Sequence, residues 1–107
     1  MDDYIHLYMV YYKKDTDFSP DHDLTFEKVT KGGKYVFVMT QLAKSLEEVF
    51  TQMQGERWSP NGEARDYIQS LDLDHTSMST GDVILDVYTN RMYQCDNIGW
   101  KEVYRTQ

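Results

Sequence analysis

The chain has 107 residues, 40% of them hydrophobic and 14% aromatic, with 9 Tyr. That fits one small domain and excludes intrinsic disorder, which goes with few aromatic and β-branched residues. With 18 acidic against 11 basic residues the formal net charge is −7, which disfavours a nucleic-acid partner held by counterion release.

Two readings of the acidity stand side by side. The plainer is solubility; the sharper is a surface that imitates nucleic acid towards a DNA-binding protein. Cys95 is the only cysteine, so no internal disulfide can form, and a reducing, cytoplasmic setting is expected. Met1-Asp2-Asp3 has no basic n-region. The longest apolar runs, near Tyr4–Tyr12 and Tyr35–Met39, fall far short of a membrane span, so no membrane partner is expected.

Tyr4–Tyr12 is rich in Tyr, Ile and Val and predicts a strand. Ile5, Leu7, Met9 and Tyr11 share one face, and Tyr4, His6, Tyr8, Val10 and Tyr12 the other. Neither face is polar, so the strand is expected to be central and covered on both sides. Tyr4, Tyr8 and Tyr12 could stack on bases, but with this charge they are expected to be core or a protein-interaction face.

Residues 13–23 read as an exposed loop with turn chemistry. Leu24–Val29 predicts a short strand, and Lys31-Gly32-Gly33-Lys34 a tight turn into a strand at Tyr35–Met39, so Leu24–Met39 reads as a hairpin. Ser45-Leu46-Glu47-Glu48 has capping-box spacing, with Ser45 as N-cap and Glu48 reaching back to it. Leu46, Val49, Phe50 and Met53 form the apolar stripe of the helix that follows, with Gly55 as its stop. Glu56–Gly62 reads as a loop anchored by Trp58, and Ala64, Tyr67, Ile68 and Leu71 predict a second helix over about Glu63–Leu71. Short strands are expected at Val83–Val87, Met92–Cys95 and Ile98–Val103.

The order predicts an α+β fold with a single antiparallel sheet of about five strands and two helices packed on one face. The alternative is a small, partly open barrel. Either would bury the Leu46 stripe against Leu7, Phe37 and Ile84.

Chemistry concentrates in His75–Val87. Thr76, Ser77, Ser79 and Thr80 can form turns through their own hydroxyls. Gly81 can take a positive φ, and Asp82 can accept backbone N–H groups at the entry to a strand. The same groups could instead form a pocket for a partner or a small polar ligand, with His75, Ser77, Ser79, Asp82 and Trp100 as its binding residues. No catalytic residue, metal or cofactor is expected. Asp21-His22-Asp23 and Asp72-Leu73-Asp74-His75 place carboxylates beside imidazoles, but neighbours in a loop rarely converge on one ion. Cys95 would need a base such as His75 to act as a nucleophile. No phosphate loop and no Ser-His-Asp order is present.

Ser77-Met-Ser-Thr-Gly-Asp-Val-Ile84, followed by Tyr93, Cys95 and Gly99-Trp100, resembles a pattern in small proteins of phages, plasmids and other mobile elements. Among them are the YodL-like domains, in which a Ser-x-Ser-Val-Gly-Asp-Val-Ile core leads into a strand, a Tyr and a Gly-aromatic pair. The similarity runs over residues 65–100, about a third of the chain, and departs at Thr80, where the pattern has Val. It implies a phage or mobile-element origin, hence a host cytoplasm, and brings no catalytic residues with it. The expected function is a non-enzymatic domain that binds another protein; self-association, for instance as a homodimer, is a further reading. The alternative is a small-ligand-binding protein or enzyme with its pocket around the His75–Asp82 loop.

Overall fold

The computed structural model describes residues 4–14 and 18–106. Part of the 13–23 loop, residues 15–17, and the N-terminal Met1-Asp2-Asp3 lie outside them. The strands are β1 (His6–Lys13), β2 (Tyr35–Ala43), β3 (Val83–Asp86), β4 (Arg91–Cys95) and β5 (Trp100–Val103). The helices are α1 (Phe26–Lys31), α2 (Leu46–Gln52), α3 (Gly55–Trp58) and α4 (Arg65–Ser70). All strand pairs are antiparallel, and the five lie in one open sheet in the order β2-β1-β3-β4-β5. The fold is α+β, as the element order predicts.

β1 has strand neighbours on both sides and apolar cover on both faces. Tyr8, Val10 and Tyr12 enter one core with Val38, Val49, Met53, Ile68, Met78 and Ile84. Tyr11 enters a second core with Val29, Tyr35, Val83, Met92 and Val103. Because successive strand residues point to opposite faces, α2 and α4 pack on one side of the sheet and α1 on the other. Each fully buried side chain of this size contributes about 1.5–3 kcal/mol. Tyr8 and Tyr12 are therefore core residues, and only Tyr4 of the three aligned tyrosines is exposed.

Leu24–Val29 is not a strand. Thr25 Oγ1 accepts the Lys28 backbone N–H at 3.2 Å and caps α1, whose Val29 is buried. Glu27 in the first turn and Lys28 and Lys31 in the last suit the helix dipole. Six residues that alternate like a strand are also compatible with a short helix, and here the cap decides.

The stripe on α2 meets Ile84 as expected, but not Leu7 or Phe37. For Phe37 a bulge in β2 is responsible: Val10 pairs with Met39 and Tyr11 with Phe37, leaving Val38 as the extra residue. Val38 and Met39 thus both face α2 and α4, while Phe37 lies against Tyr11 with ring centroids 5.8 Å apart on the other face. Leu7, one residue from Tyr8, shares that other face, where Leu42 and Ile5 remain 62% and 52% exposed. The Tyr67 hydroxyl of α4 donates to the Val38 carbonyl at the bulge.

Ser45 caps α2 by accepting the Glu48 N–H at 3.1 Å. Glu48 reaches one residue further than a capping box requires, to the Lys44 N–H at 3.2 Å. Gly55 does not end α2, which stops at Gln52; it opens α3, which carries Trp58. The Trp58 indole donates to the Met53 carbonyl at 3.1 Å and ties α3 back to the end of α2.

The segment before α1 is held by a side chain that imitates a strand. Gln94 of β4, 1% exposed, donates Nε2 to the Asp21 carbonyl at 3.0 Å and accepts the Asp21 N–H at 2.6 Å. Gln94→Leu keeps the volume and removes both bonds. It is expected to lower unfolding free energy by about 1–3 kcal/mol, read by chemical denaturation; an unchanged midpoint would show that this clamp contributes nothing.

Candidate functional site

The start of β3 is built around a buried carboxylate. Asp82 is 1% exposed. Its Oδ1 accepts the Lys13 N–H at 2.8 Å, at the end of β1. Its Oδ2 accepts the Ser79 N–H at 2.9 Å and the Ser79 hydroxyl at 3.4 Å, and lies 3.1 Å from His75 Nε2. A carboxylate taken out of water is tolerated only with such a full set of partners. Gly81 makes the approach feasible. Its φ is +100°, and a Cβ there would lie 2.7 Å from the Ser19 carbonyl oxygen. Gly81 N–H donates to Cys95 O, and Cys95 N–H to Asp82 O, both at 2.8 Å, so the β3–β4 ladder runs past its strand ends.

His75 is stacked on Tyr12, with centroids 4.7 Å apart and planes 15° apart. Burial pulls its pKa down, but the Asp82 and Asp74 carboxylates outweigh burial and the net shift is upward. Nε2 faces Asp82, and Nδ1 lies 3.4 Å from Asp74 Oδ1. A ring with a carboxylate at each nitrogen presents neither nitrogen to a substrate. Cys95 is poorly suited to attack as well: burial first, then Asp82 and Asp96, push its thiol up to about 11, far from the depressed values of reactive cysteines.

The hydroxyl-rich loop turns inward. The Tyr12 hydroxyl donates to Thr76 O at 2.7 Å and the Trp58 indole to the same oxygen at 3.2 Å. Ser77 Oγ accepts the Gly55 N–H at 2.7 Å instead of closing its own turn. Met78 N–H donates to Met53 O at 3.1 Å, and Gln54 Nε2 to Met78 O at 3.2 Å. A second histidine–carboxylate pair closes the far end of the same strand. His6 Nδ1 lies 2.8 Å from Asp86 Oδ2, while Asp86 Oδ1 accepts the Tyr88 and Thr89 N–H groups. Among the described residues, no group of three His, Cys, Asp or Glu side chains is placed to hold a metal ion. No helix among them is long and apolar enough to cross a membrane.

The outer side of this loop borders an open groove of about 560 Å³. From α2 come Glu47, Phe50 and Thr51; Met78, Ser79 and Thr80 form the floor; Cys95 of β4, Asp96 in the turn after it and Trp100 of β5 complete the lining. Phe50 and Trp100 meet edge to face, with centroids 6.3 Å apart and planes at 79°. Of the five residues expected to form a site, Ser79 and Trp100 line this groove, whereas His75, Ser77 and Asp82 are not part of its wall. His75, Ser79 and Asp82 do converge, in the cluster beneath the loop; Ser77 is joined to α3. Sequence reasoning missed Glu47, Phe50 and Asp96. Phe50 was legible only as a stripe residue, although it stays half-buried where its neighbour Val49 is fully enclosed.

Comparison with protein families, with curated proteins and with solved structures finds no match to this chain.

Two outcomes follow from the Asp82 cluster. Gly81→Ala combines a left-handed backbone with a contact too close to Ser19, so it is expected to cost about 1–3 kcal/mol and several degrees in Tm, read by thermal unfolding; a variant as stable as the wild type would show that the backbone relaxes freely there. Because the folded His75 pKa lies above its unfolded value, its contribution is complete below about pH 6.5 and fades as the pH rises through the folded pKa. The difference in unfolding free energy between wild type and His75→Gln should therefore be largest near about pH 5.5 and shrink on the alkaline side. A pH-independent difference would overturn this assignment.

Proposed function

We propose that the chain is a non-enzymatic domain of phage or mobile-element origin that binds another protein through the groove between α2 and the β4–β5 hairpin. The observation that carries the reading is the groove itself: a recess of about 560 Å³ lined by Phe50, Met78 and Trp100 together with polar side chains of Glu47, Thr51 and Asp96. Apolar recesses fringed by polar groups mark recognition sites more often than bare surface does. Aromatic residues such as Trp100 are the usual anchors of protein interfaces.

The chemistry below the groove supports a binding role over a catalytic one. His75 lies between two carboxylates, and the Cys95 thiol is held protonated at neutral pH. General-base or nucleophilic work needs a group poised near neutrality and aimed at the substrate. The origin rests on the resemblance of Ser77–Ile84 to the mobile-element pattern. The groove volume also falls in the range of small-ligand sites, which makes a small molecule the rival occupant.

Thr51 offers a direct test, because it is exposed and lines the groove without entering the core. Peptides selected from a random displayed library on the wild-type protein are expected to lose at least about 10-fold in affinity, about 1.4 kcal/mol, on Thr51→Trp, with Tm unchanged. Selection that returns no peptide binder, or binders indifferent to Thr51→Trp, would remove the groove as a protein-binding site.

A further inference from the structure

The groove carries a charge pattern that narrows its occupant, on the premise that the groove is the binding site. Among the described residues, two acidic ones, Glu47 and Asp96, stand in its wall, and no Lys or Arg does. They belong to different elements, α2 and the turn after β4, so the groove is acidic on both flanks. Glu47 is exposed in the first turn of α2. Asp96 uses Oδ1 to accept the Asn97 N–H at 2.7 Å, so the same carboxylate keeps a second oxygen for another donor. Between these flanks, Phe50 and Trp100 stand nearly perpendicular, at 79°, which leaves a corner walled by two aromatic rings.

A neutral apolar ligand would use the rings and leave two carboxylates to be partly desolvated without return. An anion would be repelled by both. A cation gains from each component: the ring quadrupoles attract it, and the carboxylates neutralise it. Guanidinium suits such a corner better than ammonium, because it is planar, weakly hydrated, able to stack on a ring and able to present two N–H groups to one carboxylate. The chain's net charge of −7 adds long-range attraction for a basic partner.

The geometry points to an arginine side chain, offered by a segment of a basic partner protein, seated in the Phe50–Trp100 corner and held by Glu47 and Asp96. Thr80 and Ser79 on the floor border the space left for the partner's backbone. This surface is thus set up to recognise a cation within an apolar recess, and not a nucleic acid.

The probe pair is N-acetyl-arginine amide and its neutral isostere N-acetyl-citrulline amide, each titrated into the full chain and followed by the Trp100 indole N–H resonance. The arginine compound is expected to give a saturable shift at millimolar concentration, and the citrulline compound to bind at least 10-fold more weakly. Glu47→Gln with Asp96→Asn, which keeps the Asn97 bond available, should reduce arginine binding by 10-fold or more without lowering Tm. Added salt should weaken the arginine complex alone. Equal binding of the two probes, no saturable shift with either, or full binding to the double variant would overturn the arginine assignment. If library-selected peptides still depend on Thr51 in that case, the groove remains a protein-binding site and only its charge preference is wrong. If they do not, both readings fall together.

Discussion

The fold depends on the hydrogen bonding of one buried carboxylate. Asp82 draws together three places far apart in sequence: the end of β1 through Lys13 N–H, the loop through Ser79 and His75, and the start of β3 through its own backbone. Leaving a carboxylate enclosed without partners would cost far more than any single contact contributes. Native packing must therefore satisfy all its donors together. That requirement fixes where the loop lies, and the loop's outer side then forms the groove floor. Stability and the proposed recognition thus rest on the same segment seen from its two sides.

Asp86 repeats the device at the other end of β3. It receives the two turn N–H groups of Tyr88 and Thr89 and pairs with His6, while the strand between runs through the centre of the sheet. Val83 and Ile84 go to opposite cores. A four-residue strand carries few ladder bonds of its own, so carboxylates that close both of its ends set its register against β1. Two histidine–carboxylate pairs in a small domain invite a catalytic reading. Here each of the two carboxylates also accepts backbone N–H groups, which is the mark of a structural clamp.

Much of this was legible in the sequence, and the limits have physical causes. The central first strand followed from its lack of a polar face. α2 followed from the Ser45 cap and a 3–4 spacing, and Gly81-Asp82 from turn chemistry. α1 was misread because Leu24–Val29 is too short for periodicity to separate a strand from one helical turn; Thr25 as a capping residue with Glu27 in the first turn carried the usable signal. The bulge at Val38 has no local signature in the sequence, and the side chain that binds its carbonyl, Tyr67, lies far along the chain in α4. Gly55 shows that glycine is ambiguous between ending a helix and lending an open N–H, here to Ser77. The groove was illegible for a further reason. Its walls come from α2 and from the turn after β4, which only the strand order brings together.

The residues that carry the mobile-element resemblance gain a physical meaning from this arrangement. Ser77 holds α3, Ser79 holds Asp82, Gly81 supplies the left-handed turn close to Ser19, Asp82 collects its donors, and Val83 and Ile84 fill the two cores. Each is explained by the junction between loop and sheet, with no ligand needed. A segment shared at these positions would therefore transmit a way of starting a strand, and not a substrate or a partner. Thr80 is the position at which this chain departs from the pattern. Its side chain lines the groove as that of Ser79 does, but unlike Ser79 it makes no contribution to the Asp82 cluster. Variation is physically cheapest where a side chain meets a ligand and not the core. On the proposal that the groove is the binding site, the departure at Thr80 falls where a protein would alter what it binds while keeping how it folds.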